Sequence, residues 1–264
     1  MIPVEVTEGD GPLILGLPHT GTWLPPEIHD QLNARGRALT DTDWHVERLY
    51  QNLAPDATTV RATFHRYVID ANRPPDGESL YPGQNTTGLV PLTDFDGESI
   101  WSRHPDAAEV EARRRQFHMA YHAALAAQVA RVKARHGVAI LYDCHSIRSH
   151  IPFLFDGRLP DFNIGTVNGT SCDPRVERLV AENCNKAKGY SAILNGRFTG
   201  GWTTRLYGQP DQGVHAIQME LAQITHLATE EPPFAYEPEK AARLRVVLRA
   251  ILEGLTALAP HLRA

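Results

Sequence analysis

Residues 138–147 read VAILYDCHSI, and the fold turns on them. VAILYD (138–143) is apolar and rich in strand formers up to its closing acid, the pattern of a strand. It follows directly on the longest helical pattern in the chain, residues 106–136, which opens at Pro105-Asp106 and closes at Gly137. A strand fed by a long helix is the repeating unit of an α/β protein.

Working outward, the alternation continues. PLILGLP (12–18) predicts a buried strand running into a loop at His-Thr-Gly, and TTVRATFHRYVID (58–70) predicts strand material broken near His65. YSAIL (190–194) and VHAIQMELA (214–222) predict further strands. In DTDWHVERLYQNL (41–53), Val46, Leu49, Tyr50 and Leu53 fall at i, i+3, i+4 and i+7, which predicts an amphipathic helix with acids at its N-terminal end. Residues 174–188 and 237–258 are also expected to be helical. From Arg73 to Pro105 the chain is rich in Pro, Gly, Asp and Asn without a period, as in a functional or mobile loop. The expected architecture is one domain, residues 1–264, with a mixed sheet and helices on both faces.

Bulk composition excludes several classes. With 264 residues, 42% of them hydrophobic, the chain can bury a substantial core. A net charge of −5 carries no basic footprint for nucleic acid. No apolar run approaches the ~20 residues that span a bilayer, and MIPVEVTEGDGPLIL lacks the basic start and apolar stretch of a secretory signal. Cys144, Cys172 and Cys184 form neither a disulfide framework nor a CxxC pair. The cytoplasm is the expected location.

The chemistry gathers at strand ends, where α/β sheets place their sites. His19 follows the first strand, and Asp143 and His145 lie at the end of VAILYD. If that strand persists to residue 145, Asp143 and His145 share one face while Tyr142 and Cys144 point to the other. Cys144 and His145 then cannot pair as nucleophile and base, and Cys144 is expected as a small buried hydrophobe. Asp143 either ligates a metal beside His145 or holds its ring from the second nitrogen. His118 and His122 have the i, i+4 spacing of a zinc-gripping pair, but Met119 stands where HExxH needs Glu, so buried or site-wall histidines are expected. Glu220, on a strand with an apolar reverse face, is either a general base in a cleft or half of an ion pair. DANRPP (70–75) offers a stiffened guanidinium fork for a carboxylate, or a turn whose Arg73 pairs with Asp70 or Asp76. NGRFTGGWTTRLYG (195–208), with Arg197 and Arg205, is a site loop or a plain hairpin.

Together PHTGTWLPP, DTDWHVERLY, RYVIDANRPP, LYPGQNTTGL, LYDCHSI, NGRFTGGWTTRLYG and HAIQMELAQ resemble, in this order, the N-formylglutamate amidohydrolase family, over residues 12 to 235. The resemblance implies a zinc-carboxypeptidase-like (phosphorylase/hydrolase-like) α/β fold and hydrolysis of N-formyl-L-glutamate to formate and glutamate, as in histidine degradation. It implies metal ligands at His19 and His145, substrate contacts at Asn72 and Arg73, and a base at Glu220. The wider group's HxxE ligand is missing, because Thr22 occupies that place. Of Asp41, Asp43 and Glu47, the expected third ligand is Asp43, in the first turn of its helix, with Glu47 as the alternative. The resemblance further implies Zn2+, or Co2+ or Fe2+, an oxyanion role for Arg66 or Arg73, and a substrate contact for Arg205. The partner is a small anionic N-acyl amino acid, and the protein a monomer or small homo-oligomer. A deacylase for another N-acyl amino acid, a cysteine amidase using Cys144 and a non-enzymatic acid-binding domain are the competing readings.

Overall fold

The computed structural model describes residues 2–262. Met1, Arg263 and Ala264, included in the expected 1–264 domain, lie outside the described residues. Seven strands form one mixed sheet: β1 (Val4–Thr7), β2 (Leu13–Leu17), β3 (Thr58–Ala62), β4 (Ala139–Ile147), β5 (Phe162–Gly165), β6 (Ala192–Leu194) and β7 (Val214–Ala222). Their order is β1-β3-β2-β4-β7-β5-β6. The central strands β3, β2, β4 and β7 run parallel, β1 and β5 pair antiparallel with β3 and β7, and β6 runs parallel to β5.

The helices are α1 (Pro26–Gln31), α2 (Ala34–Arg37), α3 (Val46–Tyr50), α4 (Ala107–Arg113), α5 (Met119–His136), α6 (Pro174–Lys186), α7 (Trp202–Tyr207) and α8 (Pro238–Leu258). They cover both faces of the sheet, as expected. Residues of α3, α6 and α8 form one core with Leu15, Tyr142, Cys144 and Met219. Residues of α5 form the other with Ile14, Val60, Leu141 and Ala216. Alternating residues of β2 and of the first half of β4 therefore feed opposite cores, which explains why Leu13–Leu17 and Ala139–Tyr142 are apolar on both faces, whereas Asp143 and His145 bring polar groups to the far end of β4. No helix among the described residues is long and apolar enough to cross a membrane.

Several expected boundaries move, for physical reasons. The helix expected over 41–53 contains only α3, because His45 adopts a left-handed φ of 61° and Asp41–Asp43 lie in the turn before it. Val46, Leu49, Tyr50 and Leu53 are all buried, so periodicity reported the buried face but not the helix length. The 58–70 strand stops at Ala62, with Phe64 making an isolated bridge to Trp23. Helix 106–136 is interrupted by a π-helical turn, Arg114–His118, a feature frequent at functional sites. The 190–194 strand shortens to β6, and 195–208 holds α7 instead of a hairpin. β5 is too short, at four residues, to display a period. The 138–143 strand runs on to Ile147, which secures the alternation that separates Cys144 from His145.

Strand register then sets the site. β4 and β7 are neighbours with His145 opposite Glu220 and Asp143 opposite Gln218. All four side chains therefore share one face near the carboxyl ends of the parallel strands.

Candidate metal centre and active site

His19 lies two residues beyond β2, and its carbonyl accepts a 3.1 Å bond from the Asp43 amide. The two loops thus brace one another. Asp43 Oδ2 lies 3.2 Å from Nδ1 of His145 and 3.8 Å from Nδ1 of His19. Outward, each of these groups is held by the protein. Asp70 Oδ1 is 2.7 Å from Nε2 of His19, Asp143 Oδ2 is 3.1 Å from Nε2 of His145, and Arg66 donates to Oδ1 of Asp43 at 2.8 Å. One atom of each group is left facing a common point.

That arrangement fits a divalent cation. His19, Asp43 and His145 are buried, and their ligand atoms all lie within 4.8 Å of one another. Nδ1 of His19 has no hydrogen-bond partner, an orphan a metal would satisfy. Two imidazoles and one carboxylate suit a catalytic zinc site with an open position, and both imidazoles carry the outer carboxylate that metal-bound histidines use for orientation. Burial, with Arg66 nearby, lowers the pKa of His19 and keeps its lone pair available. Burial also opposes ionisation of Asp43, yet Arg66, His145 and His19 outweigh it and hold the carboxyl below its usual range. On His145 burial opposes charge too, but Asp143 and Asp43 at its two nitrogens raise its pKa well above the ordinary imidazole value. The protein groups alone leave this point attractive to positive charge.

Glu220 faces the same space. Gln218 accepts from the Gly201 amide through Oε1 (2.7 Å), so its Nε2 is turned to donate to Oε2 of Glu220 (3.2 Å). Burial, with Asp43 nearby, pushes the Glu220 carboxyl up to about 8 against the pull of His145 and Arg66. A carboxylate balanced near neutrality can take and return a proton. Asn72 is fixed by the Thr203 amide on its Oδ1 (2.8 Å), which presents Nδ2 toward His145 (3.0 Å). A Cβ on residue 201 would lie 2.3 Å from that amide nitrogen, so glycine is required there. These groups line a single narrow cleft.

The remaining expected residues are placed as follows. Arg66 and Arg73 line the cleft. Glu47 does not join the two histidines; it lies in a separate depression beside Arg48 and Arg61. Asp41 accepts instead from the Phe95 amide. Asp43 precedes its helix, because the left-handed turn at His45 is needed to aim it at His19 and His145. Arg205 does not line the cleft: it donates to the Gly200 carbonyl and the Thr199 hydroxyl. Asp143 orients His145 from its second nitrogen. Cys144 is fully buried in the opposite core, and burial raises its thiol pKa well above normal. His118 and His122 grip main chain, donating to the carbonyls of Arg73 and Ala71 at 2.9 Å each. Sequence reasoning missed Asp70 as the brace of His19, although an acid two residues before Asn72 was the available signal. It also left Arg197, a cleft residue, without a role.

A family model described as N-formylglutamate amidohydrolase matches residues 11–227. N-formylglutamate deformylases of Pseudomonas aeruginosa and Pseudomonas putida are 50% and 45% identical over 254 residues, covering 94% and 95% of this chain and 94% of each relative. The crystal structure of N-formylglutamate amidohydrolase from Ralstonia eutropha JMP134 matches with a TM-score of 0.81 at 25% identity, covering 100% of this chain and 99% of that one. A gene product of Agrobacterium tumefaciens shares the fold, with a TM-score of 0.74 at 20% identity over 98% and 96% of the two chains. The matched segment runs through His19, Asp43, His145 and Glu220 alike, and the chain belongs to the N-formylglutamate amidohydrolase family.

Proposed function

We propose that this protein hydrolyses N-formyl-L-glutamate to formate and L-glutamate, as the last step of histidine breakdown, in one catalytic domain with a divalent ion, zinc first among candidates. The observation that carries the reading is the convergence of both Nδ1 atoms on Asp43 beside Glu220, in a chain 50% identical to an N-formylglutamate deformylase. His19, Asp43 and His145 would hold the ion. Bound there, it would supply Lewis acidity, lowering the pKa of water and polarising the formyl oxygen.

The protein groups divide the remaining work. Glu220 takes the proton of the attacking water and passes it to the departing amine as the C–N bond breaks. Its elevated pKa suits both transfers. Arg66, fixed on Asp43 at the cleft wall, places positive charge near the oxygen that becomes negative. Asn72 and Arg73 receive the α-carboxylate. Arg73 is preset for this, its guanidinium held by the Thr87 carbonyl and the hydroxyls of Thr86 and Thr87.

Bound metal and formate release from N-formyl-L-glutamate, measured before and after chelation, test the proposal. Metal and activity should disappear together and return together. Full activity in metal-free protein would end the metal reading, and no formate from the metal-loaded protein would end the substrate reading.

A further inference from the structure

Three guanidinium groups line the cleft, and their partners differ. Arg66 lies 2.8 Å from Asp43, and Arg73 lies 3.9 Å from Asp70. Arg197 has no carboxylate within 4 Å among the described residues. Its Nε donates to the Leu154 carbonyl at 3.0 Å and its Nη2 to the Asn85 carbonyl at 2.8 Å. Its Cζ sits 5.4 Å from the ring centre of Tyr81 and 5.2 Å from that of Phe198.

These contacts orient the guanidinium without neutralising it. Carbonyl oxygens and aromatic faces fix its plane, while a planar fork with five N–H groups keeps donors to spare. Half-burial lowers its pKa, with Arg73 adding to the effect and Tyr81 and Glu220 opposing it. Arg205 supports this placement from outside, since its own guanidinium lies 5.7 Å from the same Tyr81 ring and Tyr81 donates to the Gly200 carbonyl at 3.1 Å. A fixed, half-buried cation with no anion of its own, in a cleft that already has a separate clamp at Arg73, is built to receive a second anionic group.

We propose that Arg197 reads the side-chain carboxylate of the substrate and makes the cleft selective for N-formyl amino acids with an acidic side chain over neutral isosteres. The assignment rests on the deformylase reading above. A neutral amide in place of the carboxylate leaves the guanidinium desolvated and unpaired, so discrimination arises from rejection of the wrong substrate as well as attraction of the right one.

The test compares kcat/KM for N-formyl-L-glutamate and N-formyl-L-glutamine in the metal-loaded parent, Arg197→Met and Arg197→Lys. The parent should favour the glutamate by ~10²-fold, Arg197→Met should bring that ratio below about 5, and Arg197→Lys should fall between them. The ratio is independent of how much protein folds, so a variant that merely loses structure does not imitate the result. A parent without glutamate preference, or an Arg197→Met variant that keeps the parent's ratio while slowing both substrates alike, overturns the assignment. In the second case Arg197 only braces Leu154 and Asn85. A parent that releases formate from neither compound instead overturns the deformylase reading itself.

Discussion

Asp70 holds His19 across 51 residues of sequence, its Oδ1 lying 2.7 Å from the ring Nε2. The same oxygen accepts the Asn72 amide at 2.8 Å. One carboxylate therefore orients a proposed metal ligand and a proposed substrate residue at once. Asp143 plays the matching part for His145. Both acids are fully buried, which is costly unless their charges are used.

Asp70→Asn is therefore expected to weaken metal affinity by ~10- to 100-fold, the usual effect of removing an outer carboxylate. A competitive titration against a chromophoric chelator measures it, with Asp143→Asn as the parallel case. Unchanged affinity in both variants would show that the carboxylates serve folding alone.

Glu220→Gln should retain the bound metal while kcat falls by ~10²-fold or more, because the amide cannot accept and return a proton. The amide still fits beside Gln218, so circular dichroism should match the parent. Near-parental turnover would remove Glu220 from the proton-transfer role.

The π-helical turn gives a third expectation. His118 and His122, with ring centres 4.5 Å apart, donate to the carbonyls on either side of Asn72. They position the turn that carries Asn72 and Arg73. His118→Phe, by removing a hydrogen bond of about 1 kcal/mol, should raise KM roughly 5- to 10-fold with a smaller change in kcat. A drop in kcat at constant KM would instead mean that the turn acts on the chemical step.

Acid stability supplies the fourth. Burial pulls His226 and His122 down to about 4, whereas an unfolded histidine titrates near ~6.5. Between these values the unfolded chain binds more protons, so this stability is complete above the unfolded pKa and is lost as pH falls toward 4, by up to about 3 kcal/mol per histidine. Asp41, raised to about 7 by burial, contributes with the opposite sign across this whole window, which is why the comparison is made between parent and variant. The slope of unfolding free energy from pH 7 to 4.5 should therefore be compared in the parent and His226→Gln. The variant should have the shallower slope, and identical slopes would show that His226 does not carry this dependence.

Composition and periodicity determined the α/β class, the strands at VAILYD and VHAIQMELA, and the separation of Cys144 from His145. These follow from local geometry, since side-chain direction along a strand alternates whatever the rest of the chain does. Ordered motifs pointed to His19, His145 and Glu220. Asp43 was already the expected ligand ahead of Glu47, but bringing it against both histidines required the left-handed turn at His45, and placing Arg197 rather than Arg205 in the cleft required α7 and the Tyr81 loop. Asp70 became the partner of His19 only when β2 and the chain beyond β3 were brought side by side. Each of these outcomes depends on where distant segments meet, and a distance across 50 or 100 residues is set by sheet order and register rather than by any local pattern.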